Sequence, residues 1–320
     1  MSDLPPSDRR PPTERDRESI PDPAAELGLA GIEFVEYVTD RPQALGQTLE
    51  TMGFHAVARH RSREVILYRQ GSMNLVVDAH PEAVRAVGAD EAGPRIGAVA
   101  FRVRDAGAAL ARSLELGAWE VESRARAMEL HIPAIHGPGT SRFHFVDRWR
   151  EFSIYDIDFV PIPGAERRPP ALAGMSWFGL VQYVDDAREA DWLAWYAHLF
   201  GFERIADDER FGILPEGTLM RSAAGGFLWQ LVAPIPWQKS SGSVEGLRRV
   251  GIGVPDVPAA VAALGARGVE FVDSGRLHPD DRGALTVAAL GGLAFELVHR
   301  DGGPDAASGD AAGDGAGAAT

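Results

Sequence analysis

Apolar and polar residues alternate along several short segments of the chain, and a period of two is typical of β-strands with one buried face. The last such segment, residues 293–300, carries one carboxylate, Glu296, between Phe295 and Leu297. A carboxylate in a half-buried strand needs a metal ion, an arginine or a hydrogen-bond donor as its partner, unless it faces solvent. Glu296 is therefore the first candidate site residue.

The same order of predicted elements occurs twice along the chain. A strand at 31–40 leads into a helix that ends near Gly53, and a strand at 176–186 leads into an aromatic-rich helix that ends near Gly201. In each copy a later strand is followed by an alanine-rich helix. Three pairs of equivalent residues lie 146, 148 and 151 positions apart: Tyr37 and Tyr183, Phe54 and Phe202, and Asp105 and Asp256. Such nearly constant spacing indicates an internal duplication.

Each copy is predicted to contain a strand, a helix and three further strands, in the order βαβββ. The predicted fold class is α+β, with two tandem modules whose sheets are covered by helices on one face and line a cavity on the other. We place the modules at 29–165 and 174–301, joined by a segment rich in proline and charge at 161–173. Residues 1–28 and 302–320 are predicted to be disordered because they have too few large apolar residues to form a core.

Composition narrows the classes of function. The formal net charge of −14 argues against binding to nucleic acid or to anionic lipid. The absence of cysteine excludes disulfides, thiolate metal sites and a cysteine nucleophile. No apolar run is long enough to span a bilayer, and the N-terminal residues are polar, so we expect a cytoplasmic protein.

Several blocks of the first copy resemble the N-terminal half of bacterial 4-hydroxyphenylpyruvate dioxygenases. They are GIEFVEY at 31–37, residues 60–77, MELHIPAIHGPG at 128–139 and SIYDIDFV at 153–160. The second copy resembles the same family through its opening strand, its aromatic helix and the sequence AFELVHRDG. The resemblance implies two vicinal-oxygen-chelate (glyoxalase-like) modules, of which the first is structural and the second holds the active cavity. It also implies association as a homodimer.

In that family two histidines and one glutamate hold Fe(II) in the second module, which leaves open positions for a 2-oxo acid and O₂. The resemblance places these three ligands at Gln182, Arg249 and Glu296, and Arg248 replaces the glutamine before the second histidine. Glutamine is a weak neutral ligand, and arginine stays protonated and cannot ligate a cation. We therefore expect Arg249 to replace the charge of the metal and to pair with Glu296.

Two functions follow from these residues. The first is a metal-free cavity that binds an aromatic or 2-oxo carboxylate, in a non-redox enzyme, a sensor or an accessory protein. Its predicted lining is Gln182, Arg248, Arg249, Trp229 and Glu296, with an arginine as the carboxylate anchor. The alternative is a functional Fe(II)-dependent dioxygenase of aromatic amino acid catabolism, with Glu296 as a ligand in an altered set. Two interpretations also remain open for Trp229, namely a core residue or a ring that stacks on the ligand.

Overall fold

The computed structural model describes residues 27–89, 93–122, 129–150, 152–206, 211–212, 217–222, 226–233, 245–275 and 277–301. The segments predicted to be disordered, 1–28 and 302–320, lie outside these ranges except for Leu27 and Gly28. Leu27 is buried in the hydrophobic core, although it precedes the predicted boundary at residue 29.

The first module is built on a sheet with the strand order β6-β7-β5-β1-β4-β3-β2-β8. Its elements in chain order are β1 (Gly31–Val38), α1 (Pro42–Thr51), β2 (His55–His60), β3 (Val65–Gln70), β4 (Met73–Asp78), α2 (Pro81–Val87), β5 (Arg95–Arg102), α3 (Ala106–Glu115), β6 (Ala134–His136), β7 (Arg142–Val146), α4 (Ile154–Asp158) and β8 (Phe159–Pro161).

The second module is built on a sheet with the strand order β10-β11-β12-β9-β13-β15-β14. Its elements are β9 (Ser176–Tyr183), α5 (Glu189–Phe200), β10 (Phe202–Arg204), β11 (Thr218–Ser222), β12 (Leu228–Val232), β13 (Gly246–Val254), α6 (Val257–Gly265), β14 (Gly283–Leu285) and β15 (Phe295–His299). Short 3-10 turns occur at Leu172–Gly174 and Asp186–Arg188.

The duplication is visible in the strand pairing. β1 is antiparallel to β5 and parallel to β4, and β9 has the same relation to β13 and β12. The parallel pair of β5 and β7 recurs as β13 and β15. The Asp105 side chain accepts the Ala108 N–H at 2.8 Å at the start of α3, and Asp256 accepts the Ala259 N–H at 2.9 Å at the start of α6. The predicted α+β fold with two modules is confirmed.

One hydrophobic core joins the two modules, because helices of both modules lie between the sheets. Phe101 of β5 and Phe143 of β7 contact α5 and β12 of the second module. The ring centroid of Phe200 lies 5.3 Å from that of Phe101 and 5.7 Å from that of Phe143, and the Trp229 ring lies 5.7 Å from Phe143. Such tilted and edge-on ring pairs stabilise a core beyond their buried area.

A polar contact reinforces this interface at the end of α1. The Arg267 guanidinium, which follows α6, donates to the carbonyl oxygens of Glu50 and Thr51 at 2.6 and 2.9 Å. The last carbonyls of a helix have no partner within the helix. The second module therefore completes the C-terminal turn of a helix in the first.

The opposite, concave face of the first sheet carries apolar side chains of its own module, beside the buried ion pair of Glu33 and Arg102. These include Phe34, Leu67, Val76, Ala100 and Phe159, which form a core cluster distinct from the one between the modules. Side chains of the first module itself thus pack inside the first barrel.

We expect Phe101→Ala to lower the free energy of unfolding by about 3–5 kcal/mol, because it removes a ring from the core that both modules share. Urea unfolding followed by tryptophan fluorescence and by far-UV circular dichroism should give one transition for both modules. Phe152→Ala is the matched control, since the Phe152 ring is 62% exposed and its loss should change little. Two separate transitions in the native chain would contradict a shared core.

Candidate functional site

Glu296 lies on the concave face of the second sheet. On β15 the neighbouring Phe295 and Leu297 point into the core between the modules, whereas Glu296 lines a cavity. The strand register aligns Glu296 with Gly251 of β13, and Gly251 with Gly179 of β9. We call these three residues the glycine row. Because two of them have no side chain, an inner cavity of about 30 Å³ remains beside the carboxyl group, which is room for one water molecule.

The Glu296 carboxyl group is almost fully enclosed, with 5% of the residue exposed. Burial raises its pKa to about 7, and the positive charge of Arg249 acts in the opposite direction. Within the described part of the chain, Glu296 makes no ion pair. The backbone of Gly212 lies directly against it, since a Cβ at that position would overlap the carboxylate oxygen. The negative charge of Glu296 is thus balanced only by the more distant charge of Arg249.

Arg249 lies on the same face of the sheet as Glu296, two residues before Gly251 on β13. It aligns with Val181, which lines the inner cavity, but Arg249 itself does not. The direct pair with Glu296 that we expected is not formed among the described residues, and the two charges interact at longer range. The Arg249 Nε is buried without a hydrogen-bond partner there.

Arg248 lies at an irregularity in the pairing of β13 with β9. Its guanidinium carbon is 5.7 Å from the centre of the Tyr183 ring. Burial lowers the pKa of Arg248, and the like charge of Arg95 in the first module adds to this effect. Arg248 is therefore close to the first module and does not line the cavity, contrary to our expectation.

Gln182 and Trp229 leave the sheet on the helix side rather than toward the cavity. The Gln182 Oε1 accepts hydrogen bonds from the Tyr196 hydroxyl at 2.6 Å and from the Trp229 indole N–H at 3.1 Å, and all three side chains are fully buried. The core interpretation of Trp229 is the one that its position favours. Gln182 and Trp229 are thus not among the residues that the structure brings to Glu296, although the sequence predicted both as ligand-binding residues.

A bulge at Phe178 explains the displacement of Gln182. The register pairs Ile252 with Trp177 and Gly251 with Gly179, so Phe178 is the extra residue of β9. Beyond the bulge, Leu180 and Gln182 point to one face of the sheet, and residues 179 and 181 to the other. The residue of β9 opposite Glu296 is consequently Gly179, three positions before the predicted one.

A larger outer pocket of about 750 Å³ opens at the edge of the sheet, beyond the inner cavity. Phe178, Phe211 and Leu228 line both spaces, and the two phenyl rings meet edge to face with their centroids 5.7 Å apart. The charged residues of the outer pocket are Arg221, Arg282, Arg300, His299, Asp256, Asp281 and Asp301.

Some of these charged side chains form hydrogen bonds or ion pairs with neighbouring residues of the protein. Arg300 donates to the carbonyl oxygens of Trp177 and Gly226 at 2.5 and 2.8 Å. Arg282 forms an ion pair with Asp280 at 2.8 Å. The sequence reasoning missed the outer pocket, and it also missed the glycine row, although glycines inside strands, at 179 and 251, are a recognisable signal of close backbone approach.

The residues around Glu296 do not fit the iron centre that the resemblance implies. Among the described residues, no group of three histidine, aspartate or glutamate side chains is placed to hold a metal ion. The glycine row supplies one carboxylate, whereas the family's centre needs two imidazoles and a carboxylate. A side chain at Gly179 would also overlap the carbonyl oxygen of Leu228, so the backbone leaves no room for a metal ligand at that position.

The first module has an equivalent row with different side chains. Phe34 aligns with Ala100, and Ala100 with His144, so His144 occupies the place of Glu296. The Phe34 and His144 rings lie 6.1 Å apart. Burial, followed by the charge of Arg142, lowers the pKa of His144 to about 3, which keeps the imidazole neutral at ordinary pH. Here the space beside the sheet is occupied by rings.

Comparison with known proteins places the chain in a family. Residues 24–160 match the model described as hydroxyphenylpyruvate dioxygenase, N-terminal. A 4-hydroxyphenylpyruvate dioxygenase of Pseudomonas sp. (strain P.J. 874) is 42% identical over 200 residues, which cover 62% of this chain and 55% of that protein. The 4-hydroxyphenylpyruvate dioxygenase of Pseudomonas aeruginosa is 32% identical over 271 residues, which cover 78% of this chain and 72% of that protein. The chain belongs to the 4-hydroxyphenylpyruvate dioxygenase family.

A solved structure supports the fold of this 4-hydroxyphenylpyruvate dioxygenase family member. A fusion of a xylose isomerase-like TIM barrel with a 4-hydroxyphenylpyruvate dioxygenase superposes with a TM-score of 0.70 at 23% identity, covering 88% of this chain and 51% of that one. The chain spans 55% of the Pseudomonas sp. relative that it matches. In the described ranges, no helix is both long and apolar enough to cross a membrane.

The raised pKa of Glu296 predicts a pH-dependent stability. Because the pKa of Glu296 is about 7 in the folded protein and the ordinary pKa of a glutamate is 4.5, the folded protein binds more protons between these pH values than the unfolded chain. The free energy of unfolding should therefore fall by about 3 kcal/mol as the pH rises from 4.5 to 7, and level off above. Urea unfolding at several pH values measures this change.

Glu296→Gln should remove that slope, whereas Glu203→Gln on the exposed strand β10 should preserve it. In Arg249→Gln the free energy of unfolding should stop falling at a higher pH, because the positive charge that lowers the pKa of Glu296 is lost. An identical pH profile in the native protein and Glu296→Gln would contradict the burial of an ionisable group at this position.

Proposed function

We propose that this chain binds a small aromatic or 2-oxo carboxylate in its second barrel and does not use the family's Fe(II) chemistry. The observation that carries the proposal is the glycine row. It offers a single acidic donor, Glu296, where the iron centre of the family requires three ligands. The cavity is then a binding site in a non-redox enzyme, a sensor or an accessory protein.

The outer pocket has the size and chemistry for such a ligand. Its volume of about 750 Å³ lies within the range of small-molecule sites. Phe178, Phe211 and Leu228 supply an apolar wall on which an aromatic ring can pack. Arg221 and Arg300 are among its lining residues, and a guanidinium recognises a carboxylate by paired, charge-assisted hydrogen bonds. These residues replace Arg248 and Arg249 as the candidate anchors.

A functional Fe(II)-dependent dioxygenase of aromatic amino acid catabolism is the second candidate, because both relatives described above carry that name. It requires two further metal ligands beside Glu296 from outside the described residues. We rank it second, since neither glycine of the row nor a guanidinium can ligate iron.

Iron content and oxygen consumption separate the two candidates. Protein reconstituted anaerobically with Fe(II) and desalted should hold far less than one iron per chain, and it should consume no O₂ with 4-hydroxyphenylpyruvate. The Pseudomonas aeruginosa relative, treated in the same way, is the positive control. Stoichiometric iron together with turnover would disprove the metal-free proposal.

Ligand binding is tested separately in the presence of a metal chelator. We expect phenylpyruvate and 4-hydroxyphenylpyruvate to raise the thermal unfolding midpoint with saturable dependence on concentration, because a ligand that binds only the folded state stabilises it. Pyruvate, which has no ring, should have a much smaller effect. No shift with any aromatic acid would contradict the proposed site.

A further inference from the structure

Resting on the proposed function, we propose that the second barrel catalyses proton transfer at carbon, with Glu296 as the base. The substrate is a 2-oxo acid that has a C–H bond beside its oxo group, and the product is the corresponding enol. The reaction is an isomerisation, so it consumes neither an oxidant nor a reductant. Of the roles named above, it selects the non-redox enzyme.

The Glu296 carboxyl group is buried without a partner, yet it remains open to the inner cavity. Only 5% of the residue is exposed. In the part of the chain that the structure describes, its oxygens accept no hydrogen bond and form no ion pair. They are nevertheless absent from the polar atoms sealed off from solvent in that part, so a molecule in the cavity can reach them. An acid held in this way lowers stability, and such costs are typical of functional sites.

The surroundings of Glu296 make it a stronger base than an ordinary carboxylate. Burial raises its pKa to about 7, against the opposing charge of Arg249. At neutral pH about half of the molecules therefore hold this group ionised and ready to accept a proton. The other elements packed against it present only uncharged residues within the described ranges, namely Gly179 of β9, Gly212, Leu219 of β11, Gln230 of β12 and Leu285 of β14.

The two adjoining spaces bring a bound molecule to this base. The outer pocket of about 750 Å³ has room for the ligand, and the inner cavity of about 30 Å³ accommodates one small group beside the carboxyl group. Phe178, Phe211 and Leu228 line both spaces, so a ligand packed against them places its reacting carbon, or one relaying water molecule, at Glu296. A general base acts within hydrogen-bond reach of the proton or through one water.

The strength of the base defines the bond that reacts. A carboxylate removes a proton from carbon only where a neighbouring group delocalises the electron pair left behind, as the oxo group of a 2-oxo acid does. The C–H bond breaks and its proton moves to Glu296. Its electron pair forms the C=C bond, and the π pair of the C=O bond moves to the oxygen, which takes a proton from water. Glu296 then releases its proton to water and is restored.

The test is deuterium exchange at the carbon beside the oxo group of phenylpyruvate, followed by proton NMR in D₂O with the full chain and a metal chelator. The native protein should accelerate exchange above the buffer rate, in proportion to its concentration and with saturation in phenylpyruvate. Glu296→Gln should lower the protein-dependent rate by about 100-fold or more, because an amide is not a base. Phenylpyruvate should still raise the thermal unfolding midpoint of this variant.

Two further variants show whether the carboxylate itself is responsible. Glu296→Asp keeps a carboxylate with a shorter reach and should recover part of the lost rate. Glu270→Gln is the matched control, because Glu270 is an exposed acid of the second module that lines neither space, and its exchange rate should equal that of the native protein. Thermal unfolding of each variant shows that it is folded.

The pH dependence of exchange is a readout that a purely structural role of Glu296 would not change. The protein-dependent rate should rise as Glu296 ionises and level off above a pH of about 7. In Arg249→Gln the midpoint of this rise should move to higher pH, because the positive charge that lowers the pKa of Glu296 is lost.

The outcomes separate this inference from the function on which it rests. If phenylpyruvate stabilises the native protein but its exchange is not accelerated, the inference fails and the binding function stands. Acceleration that Glu296→Gln retains in full, or a protein-dependent rate that does not change with pH, would also overturn it. If phenylpyruvate neither stabilises the native protein nor exchanges faster in its presence, the proposed function itself fails.

Discussion

The structure depends on the aromatic contact between the backs of the two sheets. Phe101 and Phe143 of the first module pack against Phe200 and Trp229 of the second, so that helices are held between the sheets. Gln182 on this side is part of the packing, because its amide oxygen accepts hydrogen bonds from Tyr196 and Trp229. A ligand-binding site therefore has room only on the opposite, concave faces.

The two concave faces show what the duplicated register permits. Three aligned positions on equivalent strands hold Phe34, Ala100 and His144 in one module, and Gly179, Gly251 and Glu296 in the other. In the first module the rings fill the barrel and a neutral imidazole replaces the acid. In the second, the glycines leave a space that the carboxyl group of Glu296 lines together with Gln230. The same backbone thus gives a packed core and a small cavity.

Much of the fold could be predicted from the sequence, because alternation and the repeated spacing depend on many residues at once. The candidate site was less predictable, since it depends on which face a single residue points to. One extra residue at Phe178 and another irregularity near Arg248 change that face, and nothing in the alternation of β9 or β13 reveals them. Glu296 was predicted because its own strand is regular, whereas Gln182 was displaced by the bulge upstream of it.

The placement of the shared core behind the sheets also bears on how the duplicated halves diverged. The cluster inside the first barrel is distinct from the core between the modules, so we expect a substitution on one concave face to leave the contact between the modules largely unchanged. Each copy could therefore accumulate changes inside its barrel at little cost to the assembly as a whole. Such independence lets one module of a duplicated protein keep a structural role while the other module changes its function.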